Sequence, residues 1–167
     1  MVPASTPHSH PVAPHLLSPD ADSVLESARA LQHAAETGAT QALLRGKVFA
    51  LLCESDDAGN AELFRSASTD LGAHVAQVRA GLSLDSSADE IHHTARLLGQ
   101  LYDAVQCEGM PSALVKRIGA EAGIPVYDSL SSASHPMSGF AERLGGTTTW
   151  PSQRRFVLQA LLVAGMR

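Results

Sequence analysis

The sequence predicts an open α/β domain: an approximately parallel, four-stranded sheet with helices on both faces, a three-layer α/β/α stack. Three observations carry that prediction. Val48 to Leu52 is an unbroken apolar run between Arg45-Gly46-Lys47 and Glu54-Ser55-Asp56-Asp57. A short apolar run bounded by turn signals reads as a strand buried on both faces, the situation in parallel sheets. A helical pattern from about Ala58 to Leu71 follows directly and makes a β-α step. Strand-like and helix-like segments then alternate to the end of the chain, with no internal repeat.

The elements follow in order. Residues 1–16 are rich in Pro, Ser and His and read as a disordered tail, without the charged and apolar regions of a secretory signal. His8, His10 and His15 within it suit at most weak metal binding. Ser18 is the expected N-cap of the first helix and Pro19 its first helical residue. Val24, Leu25, Ala28, Leu31 and Ala35 give that helix one apolar face, and Gly38 ends it. After the helix closed by Gly72, residues His74 to Val78 alternate as a second strand. A polar loop leads to a helix from Asp89 to Gly99, with Ile91, Thr94, Ala95 and Leu98 on one face. Tyr102 to Cys107 is a third strand, Pro111 to Gly123 a helix and Ile124 to Tyr127 a fourth strand. His135-Pro136 opens a helix to about Leu144, residues 145–150 form a linker, and Pro151 starts the last helix.

Composition sets limits on function. The chain has 167 residues, 44% hydrophobic and 17% charged, with net charge −5. That suits one soluble domain with a sizeable core. The acidic balance and the lack of a Lys/Arg cluster argue against nucleic acid and against an anionic membrane surface. No apolar run approaches the roughly 18 residues of a membrane span. Cys53 and Cys107 both fall in predicted buried strands and read as packed thiols in a reducing cytoplasm. The sequence lacks G-x-S-x-G, a Walker motif and Cys/His metal spacing, so neither a cofactor nor a metal is expected.

Several stretches together resemble the carbamoyl-phosphate-binding domain of the aspartate/ornithine carbamoyltransferases, and the ornithine enzymes most closely. They are Arg45 to Leu52, Asp70 to Val75, Asp89 to Gly99 with its T-A-R-x-L-G pattern, Tyr102 to Gln106, Ile124 to Asp128, and His135-Pro136. Gln153 to Ala164 is similar to the family's C-terminal helix, which in full-length members follows a second, amino-acid-binding domain. The expected organisation is therefore a carbamoyl-phosphate-type domain over 17–144, a linker over 145–150 in place of the second domain, and a helix over 151–167 packing back on the first. Retention of that helix implies a natural compact domain.

The resemblance implies an amine attacking carbamoyl phosphate, whose phosphate needs several N–H donors and fixed positive charge. In the family an S-T-R-T-R motif at a helix start supplies most of them. The matching residues here are Asp57, Ala58, Gly59, Asn60 and Ala61, so both arginines and all three hydroxyls are absent. Asp56 and Asp57 bring negative charge instead. An arginine implied after the third strand is replaced by Glu108, and Leu84 stands at a Gln or Lys donated across a trimer interface. Of the H-P-T-Q signature His135-Pro136 remains, followed by Met137-Ser138. His135 could still donate to a carbonyl oxygen or simply start a helix; His92 and His93 read as a solvated helix face.

The expected function is thus a catalytically inactive, carbamoyltransferase-like structural or regulatory subunit. It would form a trimer with itself or assemble with a carbamoyltransferase or other enzyme. One alternative is a binding module whose acidic pocket (Asp56, Asp57, Asn60, Glu108, His135) takes an amine or a divalent metal. The other is a residual or split carbamoyltransferase.

Overall fold

The computed structural model describes residues 20–53, 58–132, 134–145 and 149–167. Four strands form one parallel sheet in the order β2-β1-β3-β4. They are β1 (Val48–Cys53), β2 (His74–Val78), β3 (Ala104–Glu108) and β4 (Val126–Asp128). The helices are α1 (Ala21–Glu36), α2 (Ala58–Asp70), α3 (Ala88–Leu101), α4 (Ser112–Ala122), α5 (Gly139–Leu144) and α6 (Trp150–Gly165). A 3-10 turn, Pro136–Ser138, precedes α5. Among these residues no helix is long and apolar enough to cross a membrane.

The predicted fold class is present, and its centre is the predicted one. Phe49, Ala50, Leu51 and Leu52 of β1 are buried, because β1 has a strand on each side and helices over each face. Alternation divides them. Ala50 and Leu52 join Val105 and Cys107 under α3 and α4, through Ile91, Ala95, Leu98, Leu114 and Ile118. Phe49 and Leu51 face α2 and α6, where Phe64, Leu71, Leu158 and Leu162 close the second core. The outer side of α6 is covered in turn by α1 and α5, through Val24, Leu25, Ala28, Ala141, Phe156 and Leu161.

Polar groups close the ends of these elements. Ser87 and Glu90 form a reciprocal capping box that starts α3. The Asp103 carboxylate accepts from the Val48 amide at 2.8 Å, and Asp103 Oδ1 lies 3.6 Å from Lys47 Nζ. Gly99 allows α3 to meet α4, since a Cβ there would overlap the Ala122 carbonyl oxygen. His92 is on an exposed face as expected, but it also pairs with Glu121 of α4 at 2.7 Å.

Boundaries differ from the sequence reading where local hydrogen bonding competes with pattern. Helix α1 starts at Ala21 with Asp20 as N-cap, and Ser18 and Pro19 lie outside the described residues. Its buried stripe ends on Gln32, while Ala35 is exposed. Tyr102 caps α3 rather than opening β3, its amide bonding to Leu98. Strand β4 begins at Val126, after the Pro125 carbonyl has accepted from Val105. His135-Pro136 opens a 3-10 turn, and the α-helix proper begins only at Gly139.

Candidate functional site

In an open parallel sheet ligands bind outside the carboxyl ends of the strands, and the candidate residues fall along that edge. Asp56 and Asp57 lie outside the described residues. Ala58 is the first residue of α2, and Gly59 and Asn60 follow on its first turn, exposed and half-exposed. Ala61 turns inward, 8% exposed, and packs in the core cluster of Phe49 and Phe64. It therefore offers nothing to a ligand: one helical step carries the chain from the edge into the core.

Glu108 ends β3 and is 2% exposed. Its Oε1 accepts from Gln106 Nε2 at 2.5 Å, within a strand that is buried throughout. Among the described residues the Gln106 Oε1 has no hydrogen-bond partner. Cys53 of β1 is the register partner of Glu108, and Asp128 of β4 is that of Cys107. Burial, then Asp128, then Glu108 push the Cys107 thiol up to about 12. It stays protonated at neutral pH and is no nucleophile. Cys53 is only half-buried, less enclosed than its apolar run suggests.

His135 is half-buried just before the 3-10 turn; its amide bonds to the Ser132 carbonyl, and its own carbonyl accepts from Ser138. Burial lowers its pKa, with Asp128 pulling the other way. A neutral imidazole can donate one N–H but supplies no fixed charge. Met137 is the middle residue of the turn and Ser138 its last. Ser138 lines a small cavity with Ser131, Ser132 and Arg154, whose guanidinium donates to the Ser131 carbonyl. The cavity holds about 10 Å³, one water's worth. The Ser131 hydroxyl, 1% exposed, has no hydrogen-bond partner among the described residues.

A second recess lies at the other end of the same edge, with a volume of about 370 Å³. Leu52, Val78, Ala80 and Met110 are its apolar walls, and Cys53, Arg79 and Gly81 complete it. Sequence reasoning passed over Arg79 and Arg154, the cations of the two cavities. Arg79 directly follows the last residue of β2, which is the one signal that could have found it. Among the described residues no group of three His, Cys, Asp or Glu side chains could hold a metal ion. The β3–β4 side of the edge thus holds the buried Glu108 and Cys107 beside the half-buried Asp128 and His135. That set suits hydrogen bonding to a neutral or cationic group better than to a phosphate.

Comparison with known proteins agrees with this architecture. A family model described as the aspartate/ornithine carbamoyltransferase carbamoyl-P binding domain matches residues 14–144. The chain is 32% identical over 121 residues to the ornithine carbamoyltransferase of Actinobacillus pleuropneumoniae, covering 72% of this chain and 36% of that protein. It is 31% identical over 121 residues to the catabolic ornithine carbamoyltransferase of Pseudomonas putida, with the same coverage of 72% and 36%. The ornithine carbamoyltransferase structure from Pyrococcus furiosus superposes with a TM-score of 0.65 at 27% identity, over 75% of this chain and 40% of that one. The chain therefore spans little more than a third of the length of the curated relatives it matches, 36%. On its sequence match and its sheet alike, the chain belongs to the aspartate/ornithine carbamoyltransferase family, through the carbamoyl-P binding domain.

Proposed function

We propose that this chain is a carbamoyltransferase-like domain without catalytic activity, working through protein contacts as a structural or regulatory subunit. The observation that carries the proposal is Glu108, buried at 2% exposure at the carboxyl end of β3. The family resemblance implies an arginine at that position. Two like unit charges about 4 Å apart repel by about 4 kcal/mol at an effective dielectric of about 20, and an arginine would attract by a similar amount. Loss of one preorganised donor alone costs on the order of 10²–10³ in rate. With the arginines of the α2 start also replaced, no useful rate of carbamoyl transfer is expected.

The connection between α5 and α6 supports the same reading. Helix α5 ends at Leu144 and α6 starts at Trp150, where the resemblance implies an entire amino-acid-binding domain. Helix α6 then packs on α1, α2 and α5. In this proposal the domain forms a trimer with itself or assembles with a complete carbamoyltransferase.

Melting with carbamoyl phosphate tests the catalytic half. Binding to the folded state stabilises by RT ln(1 + [L]/Kd), about 2.7 kcal/mol at a hundredfold excess. The expected result is no rise in Tm at millimolar carbamoyl phosphate; a saturable rise refutes the proposal. Light scattering, alone and mixed with an ornithine carbamoyltransferase, reads the assembly. A monomer that binds neither itself nor the enzyme counts against the contact role.

A further inference from the structure

We infer a ligand site of a different kind in the recess at Arg79, one that takes a small monocarboxylate with an apolar body. The recess sits at the carboxyl ends of β1 and β2, with Met110 reaching it from beyond β3. At about 370 Å³ it falls in the size range of small-molecule pockets. Leu52 and Val78 are register partners on neighbouring strands, so their side chains stand side by side as a floor. Met110, 6% exposed, adds an adaptable apolar wall.

Among the described residues that line the recess, one charged group breaks the apolar character. Arg79 is exposed, and among the described residues it makes no hydrogen bond and no ion pair. Beside it Gly81 holds a left-handed backbone (φ +64°), and among the described residues nothing lies within 4 Å of where a Cβ would stand. A guanidinium presents a planar fork that matches a carboxylate with two parallel hydrogen bonds. One cation above an apolar floor balances one negative charge on an apolar body. It is poorly matched to a phosphate, which needs several donors, and it repels an amine. In a chain of net charge −5, an unpaired cation at a cleft is also the local exception that would draw an anion in.

Amide chemical-shift mapping of the whole chain with hexanoate, hexylamine and inorganic phosphate tests the inference. Hexanoate is expected to give saturable shifts at residues 78–81 and at Met110, whereas hexylamine and phosphate are not. Arg79→Gln, at an exposed side chain without a hydrogen bond or ion pair among the described residues, should keep the native spectrum and weaken hexanoate binding at least about tenfold. Equal hexanoate affinity in Arg79→Gln overturns the site, as do equal shifts with hexylamine or phosphate. No saturable shift at millimolar hexanoate also overturns it. Carbamoyl phosphate, the probe of the non-catalytic proposal, takes no part here, so either proposal can fail without the other.

Discussion

Replacing Gly99 by alanine should destabilise the protein, although alanine is the better helix former. Gly99 lies inside α3, where the exchange in isolation would gain up to about 1 kcal/mol in helix propensity. Here the added Cβ would overlap the carbonyl oxygen of Ala122 and lie 3.7 Å from its Cα. Those are main-chain atoms of α4 that cannot rotate away. To make room the two helices must part, and the contacts of Leu98, Ile118 and Ala122 beneath them loosen. Overpacking of this kind costs about 1–3 kcal/mol. We expect a net loss of up to about 2 kcal/mol after the full propensity gain, a fall in Tm of up to roughly 8 °C for a chain of this size. Gly119→Ala in α4 is the control, because its Cβ would meet only Val126 at an ordinary 3.6 Å. That variant should gain up to about 1 kcal/mol. Urea denaturation of both decides the matter. If Gly99→Ala is as stable as Gly119→Ala, the close approach of α3 and α4 is not what holds this glycine in place.

Three further outcomes follow from buried polar groups. Burial lowers the His135 pKa, so folding favours the neutral ring; its stabilisation is present above the ordinary value of about 6.5 and is lost as pH falls below it. The urea midpoint should drop between pH 7.5 and 5.5, and less so in His135→Gln; an equal drop in both would remove His135 as the cause. Ser131→Ala deletes a buried hydroxyl with no partner among the described residues, so the loss should stay below about 1 kcal/mol by thermal melting. The Cys107 thiol, pushed up to about 12, should resist a thiol reagent at pH 8 in Cys53→Ser until the chain is unfolded, and rapid modification of the folded variant would contradict its burial.

The parts of the fold that sequence could show are those where burial is set by unbroken or periodic apolarity. β1 was legible from Val48 to Leu52 because a strand covered on all sides leaves no polar position to confuse the period. Ile91, Ala95 and Leu98 were legible because α3 is strongly amphipathic. The edge strand β2 has the expected bounds, but its exposed residues His74 and Gln77 stand three apart rather than alternating, because an edge strand leaves both faces partly open. What sequence did not show depends on long-range partners. Nothing near Glu108 announces that Gln106, two residues earlier, would bind its carboxylate inside the sheet. Nothing near Arg154 announces the Ser131 carbonyl, 23 residues away. Gln32 was passed over as polar, yet it is buried at the end of the α1 stripe and bonds to Glu36 at 3.3 Å. Ala61 shows the converse: a family match put it at the ligand edge, and the helical turn put it in the core.

The two halves of the sheet edge make opposite electrostatic demands. On the β3 and β4 side, burial first and then Asp128 and Glu108 raise the pKa of Cys107, so the two carboxylates add a negative field to a dry corner. On the β1 and β2 side the one charge that lines the larger recess among the described residues is the Arg79 guanidinium, above Leu52 and Val78. Effective charge interactions weaken steeply once solvent separates the groups, so the two corners can differ in sign across one sheet. A dianion small enough to bridge both would meet attraction at one end and repulsion at the other. A monoanion with an apolar body need occupy only the Arg79 side. If Glu108→Gln and Arg79→Gln are compared, removing Glu108 should leave hexanoate binding nearly unchanged, whereas removing Arg79 should weaken it. The reverse pattern would mean that one field governs the whole edge, and that the carboxylate of Glu108 rather than the shape of the recess decides what binds.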